Sequence, residues 1–110
     1  ISTQLDAGSY ILEIPQFRNP LLSLSVDNGQ PVRVAYAPYQ TRFEIEKPGN
    51  HTLQLRAFGN RVNAFGAVHN CDPDYFWFGP SAWITEGRSW SYEYQVKKTG
   101  VLITPRLYKV

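Results

Sequence analysis

The chain has 110 residues, about the size of one domain. Hydrophobic residues make up 43% and charged residues 18%, a composition that excludes a disordered chain. Eleven Lys and Arg against nine Asp and Glu give a net charge of +2, too little for a nucleic-acid footprint. The single cysteine, Cys71, excludes an internal disulfide framework and a Cys-rich zinc site. No apolar run approaches the ~18 residues of a membrane span, and no signal peptide opens the chain. The first residue is Ile1 and methionine is absent, which reads as a module cut from a longer protein.

Apolar residues recur with a period of two, the pattern of half-buried strands. Tyr10, Leu12 and Ile14 alternate with Ile11 and Glu13 before Pro15 stops the strand. Leu22, Leu24 and Val26 alternate with Ser23 and Ser25. Asp27-Asn28-Gly29 follows, and its Asn-Gly pair predicts a hairpin because both tolerate positive φ. Val32, Val34 and Tyr36 form the returning strand. Phe43 and Ile45 flank Glu44, and Lys47-Pro48-Gly49-Asn50 predicts a turn. Leu53 and Leu55 continue the alternation, as do Trp90, Tyr92, Tyr94 and Val96, the last set with an inward face. A final strand runs from Val101 to Ile103. About seven strands, with no helical stripe, predict an all-β domain: a two-sheet antiparallel sandwich.

Residues 59 to 88 break the pattern, as a connection of ~30 residues where most loops have ~4–6. The aromatics concentrate in its second half and just beyond it: of sixteen in the chain, eight lie between Tyr75 and Tyr94, including Trp77, Trp83 and Trp90.

Catalysis finds little support. Asp72 and Asp74 could supply the two carboxyl groups of a glycosidase, but turn Asp residues commonly cap backbone amides. His69 and Cys71 could pair as base and thiol, with no third group to orient them. Asn70, Asp72 and Asp74 have part of a calcium-loop spacing. Phe76 and Phe78 take the next alternating positions and no closing Glu follows, so no cofactor is expected and a structural calcium has no ligand set. Asn50-His51-Thr52 is a glycosylation sequon, relevant only to a eukaryotic secretory protein.

The aromatics favour carbohydrate binding, because the C–H face of a sugar ring stacks on Trp or Tyr while polar side chains take its hydroxyls. Asp74-Tyr75-Phe76-Trp77-Phe78 holds four consecutive rings, which on an extended chain cannot all point into one core. Trp77 and Tyr75 are the expected platform, assisted by Trp83, with Asp74, Arg61 and Arg88 as polar partners. The same residue types anchor protein interfaces, so docking on a catalytic neighbour stays open.

Three stretches, AGSYILEIPQFRNPLLSLSVDNG, RAFGNRVNAFGAVHNCDPDYFWFGPSAW and WSYEYQVKKTGVLITPRL, carry a resemblance. Within them Gly59-Asn60-Arg61, Asn63, Phe65-Gly66 and His69 are the most specific part. Together they resemble the galactose-binding-like β-sandwich appended to bacterial polysaccharide-degrading enzymes such as α-L-rhamnosidase-like glycoside hydrolases. The resemblance implies a jelly-roll sandwich that serves as a non-catalytic ancillary domain, secreted or at the cell surface. Its implied partners are a polysaccharide or oligosaccharide, reached through loops at one end of the sandwich, and the catalytic domain of the parent enzyme.

Overall fold

A computed structural model describes residues 1–74 and 79–110. The chain divides into two compact units, one of Ile1–Gly59 with Thr99–Val110 and one of Asn60–Lys98.

All nine strands among the described residues belong to the first unit: β1 (Ser2–Leu5), β2 (Gly8–Glu13), β3 (Phe17–Arg18), β4 (Leu22–Val26), β5 (Val32–Val34), β6 (Gln40–Ile45), β7 (Gly49–Ala57), β8 (Gly100–Val101) and β9 (Arg106–Lys109). The unit is all-β and every pairing is antiparallel. One sheet has the order β1-β7-β4-β5, a second β6-β2-β9, and β3 pairs with β8 in a small third.

Alternation identifies the inward residues. Tyr10, Leu12, Ile14, Leu22, Leu24, Val34, Ile45 and Leu53 are buried. Leu12 of β2 packs with Leu24 of β4 and Leu53 of β7, so the two larger sheets share a core. Leu5, Tyr10 and Ile45 form a second cluster, and Ile14, Leu22 and Val34 a third.

The predicted hairpin joins β4 and β5, with Leu22 opposite Val34 and Leu24 opposite Val32. Its central residues are Asp27 (φ 48°) and Asn28 (φ 60°), closed by Gly29 N–H donating to the Val26 carbonyl at 2.8 Å. The turn therefore sits one residue earlier than Asn28-Gly29, because Asp and Asn both enter the left-handed region at small cost. Residues 46–48 carry the chain from one sheet to the other, since β6 pairs with β2 while β7 pairs with β1 and β4.

Several expectations need correction. Tyr36 lies beyond β5 and is exposed, as is Ile103, which lies outside β8. Trp90, Tyr92, Tyr94 and Val96 form no sheet strand and have no inward face; they are 37%, 84%, 72% and 67% exposed. Alternation places side chains on one side of an extended segment, but burial needs a second layer opposite. Strands β1 and β9 have no clean alternation in sequence; long-range pairing makes them, β1 against β7 and β9 against β2.

Candidate functional site: the aromatic surface of the second unit

The second unit is built from short turns and side-chain clamps. A single helical turn spans Val62–Phe65 and a 3-10 turn spans Pro80–Ala82. With so little regular structure, side chains satisfy the backbone. Asn63 grips Lys97 twice: its Nδ2 donates to the Lys97 carbonyl at 2.8 Å, and the Lys97 amide donates to Asn63 Oδ1 at 2.7 Å. Asn70, a buried side chain, donates through Nδ2 to the Ala82 carbonyl at 3.2 Å and accepts the Asp72 amide at 3.0 Å. Asp72 in turn accepts the Asp74 amide at 3.0 Å. Two of the three residues with calcium-like spacing, Asn70 and Asp72, thus use a side-chain oxygen to cap a turn amide, and no group of three His, Cys, Asp or Glu side chains that could hold a metal ion occurs among the described residues.

Residues 68–71 run beside residues 89–95. The Cys71 amide donates to the Ser89 carbonyl and the Ser91 amide to the His69 carbonyl, both at 2.8 Å; Asn70 bridges Trp90. This places rings together. His69 stacks on Trp90 with centroids 5.9 Å apart and an interplanar angle of 27°. It also meets Tyr94 at 5.0 Å and 34°. His69 Nδ1 donates to the Ser91 carbonyl at 2.8 Å, which locks the imidazole orientation. The result is a set of solvent-facing rings that are nevertheless positioned.

Of the residues expected to bind ligand, Tyr75 and Trp77 lie outside the described residues. Trp83 follows the 3-10 turn and is half-exposed at 51%, its amide bonded to the Pro80 carbonyl at 3.3 Å. Asp74, Arg61 and Arg88 are all exposed. The Arg61 guanidinium lies 5.6 Å over the ring of Phe65, a cation–π contact that holds it in its own turn. Cys71 Sγ faces the Arg88 carbonyl at 3.9 Å and His69 Nδ1 donates to that of Ser91, so neither of these contacts pairs thiol with imidazole.

Sequence reasoning missed Tyr94 and His69 as members of this surface and assigned Trp90 to a core. The signal was present in the His69 and Trp90–Tyr94 segments, but their proximity depends on a pairing across some twenty residues. Gly66 also acquires a reason: a Cβ there would stand 2.0 Å from the Val62 carbonyl oxygen, so the end of the helical turn admits no side chain.

The first unit carries a separate polar cluster. His51 of β7 has Nδ1 2.6 Å from Asp27 Oδ2 and Nε2 2.8 Å from the Lys47 carbonyl. Asp27 also accepts the Thr52 amide at 2.8 Å. The hydrogen bond from His51 and that from Thr52 hold the Asp27 carboxyl below its ordinary value. The hydrogen bonds to Asp27 and to the Lys47 carbonyl push the His51 imidazole up. Glu44 and Glu46 line the same open cleft of about 400 Å³. This cluster ties the β4–β5 turn to β7 and to the crossover at Lys47.

Comparison with known protein families, curated proteins and solved structures finds no match for this chain.

Proposed function

We propose that the chain is a non-catalytic carbohydrate-binding module that targets an attached glycan-degrading enzyme, secreted or at the cell surface, to a polysaccharide. In this reading the first unit is a jelly-roll sandwich of the galactose-binding-like type and the second unit presents the ligand surface. The observation that carries it is the positioned, exposed ring cluster: Trp90 and Tyr94 held against His69 while 37% and 72% exposed. Exposed rings that are already oriented lose little conformational freedom on stacking against a sugar. Trp83 adds a third exposed ring, and Trp77 and Tyr75 belong to the proposed platform by sequence. Asp74 and Arg88 are available to hydroxyls, whereas Arg61 is engaged with Phe65.

A few stacked rings and hydrogen bonds supply about 4–8 kcal/mol net, which corresponds to dissociation constants in the μM to mM range. The test is retardation of the protein in native gels containing plant or microbial polysaccharides. Retardation by one polymer class that Trp90→Ala and Trp83→Ala weaken supports the reading. A folded, monodisperse protein retarded by none overturns it and favours docking of the aromatic surface on the catalytic domain of a parent enzyme.

A further inference from the structure

Three polar atoms of the ring cluster, His69 Nε2, Trp90 Nε1 and the Tyr94 hydroxyl, make no hydrogen bond among the described residues, and of these Nε2 is the one whose role a neighbouring bond fixes. The Ser91 carbonyl can only accept, so His69 Nδ1 carries a hydrogen, and in the neutral ring Nε2 then carries the lone pair. Nε2 makes no hydrogen bond among the described residues, and the one buried unsatisfied side-chain atom among them is Asn19 Oδ1, so Nε2 reaches solvent. A polar atom at the edge of stacked rings is placed to take a hydroxyl of a sugar lying on those rings.

The charges of this unit bear on which sugar. Arg61, Arg88, Lys97 and Lys98 balance Asp72, Asp74, Glu86 and Glu93, so Asn60–Lys98 is formally neutral and the chain's net charge of +2 lies in the other unit. A carboxylated sugar calls for a charge-assisted donor near the platform. Among the described residues the ring contacts of His69 are with Trp90 and Tyr94, and its Nδ1 donates to a backbone carbonyl, so no charged side chain bonds this ring.

Building on the carbohydrate-binding reading, we infer that His69 Nε2 accepts a hydrogen bond from a sugar hydroxyl at the Trp90–Tyr94 platform and that the ligand is a neutral sugar polymer. His69 thus has two separable duties: its ring and Nδ1 hold the platform, and Nε2 selects the sugar.

Two variants of the full chain separate these duties. His69→Phe keeps a ring against Trp90 and Tyr94 and removes Nε2, together with the Nδ1 bond to the Ser91 carbonyl, a loss that His69→Gln shares. His69→Gln gives up the ring but places an amide near the position of Nε2. The probes are a neutral β-glucan, a neutral galactan and acidic polygalacturonate, each in affinity gels, with near-UV circular dichroism to verify folding. Wild type is expected to be retarded by a neutral polymer. His69→Phe is expected to lose about threefold to tenfold in affinity, the effect of one hydrogen bond, and His69→Gln to bind better than His69→Phe. A purely structural role for His69 gives the reverse order, since Phe preserves the stacking. Equal binding by His69→Phe and wild type, or retardation by polygalacturonate alone, overturns the inference and leaves the platform standing. Failure of wild type to bind any polymer removes the platform reading itself.

Discussion

Leu24→Ala is the most direct test of how the two larger sheets are held together. Leu24 is 2% exposed on β4 and packs with Leu12 of β2 and Leu53 of β7, with Val26, Phe43, Leu55 and Leu107 around them. Truncating a leucine at such a site removes its burial and leaves a cavity that close-packed neighbours fill only in part, at a cost of about 2–5 kcal/mol. We expect about 3 kcal/mol, because the site joins strands of both sheets and cannot collapse without moving one of them. For a unit of this size that lowers the melting temperature by about 12–24 °C. Val32→Ala is the control: Val32 stands directly opposite Leu24 across the β4–β5 ladder but is 49% exposed, so its truncation should cost under about 1 kcal/mol. Urea unfolding followed by far-UV circular dichroism reads the first unit, where all nine strands among the described residues lie. A cost for Leu24→Ala below about 1 kcal/mol, or an equal cost for Val32→Ala, would refute the shared core.

Other outcomes follow from the same geometry. The Asp27–His51 pair makes stability depend on pH in both directions. The raised His51 value means its contribution is complete below the ordinary 6.5 and fades as pH rises through the folded value. The lowered Asp27 value means the contribution is complete above the ordinary 3.8 and fades as pH falls through the folded value. Thermal melts should therefore show the pair at full effect between 3.8 and 6.5, and Asp27→Asn should flatten the decline on the alkaline side. Asn28→Val forces a β-branched residue to φ 60° and should destabilise by about 1–2 kcal/mol in urea titration, whereas Asn28→Gly should change little. Asn63→Ala removes both hydrogen bonds to Lys97 and should shift the tryptophan emission, because Trp77, Trp83 and Trp90 all lie in Asn60–Lys98. Gly66→Ala should perturb the same signal, through its clash with the Val62 carbonyl. An unchanged emission spectrum in either variant would contradict the assigned clamp or clash.

Much of the first unit was legible because half-buried strands write their inward face at alternate positions. Tyr10-Leu12-Ile14 and Leu22-Leu24 read correctly for that reason, and Asp27-Asn28-Gly29 announced its hairpin through residues that accept positive φ. The same rule misled at Trp90–Val96, where the period of two is present but no sheet lies opposite, so the rings stay in solvent. Of the candidate site residues, Trp83, Asp74, Arg61 and Arg88 lie exposed on the long connection, and His69 and Tyr94 were not assigned to the aromatic surface.

The sequence by itself determined the all-β class, the inward residues of β2 and β4, the β4–β5 hairpin and the concentration of aromatic rings after residue 59. These depend on periodicity and on local backbone preference, which act within a few neighbouring residues. Tertiary structure alone decided that Ser2–Leu5 and Arg106–Lys109 become strands, that β6 and β7 part into different sheets, and that His69 meets Trp90 and Tyr94. Each of those depends on a partner distant along the chain, and a segment's own pattern carries no record of what will lie opposite it.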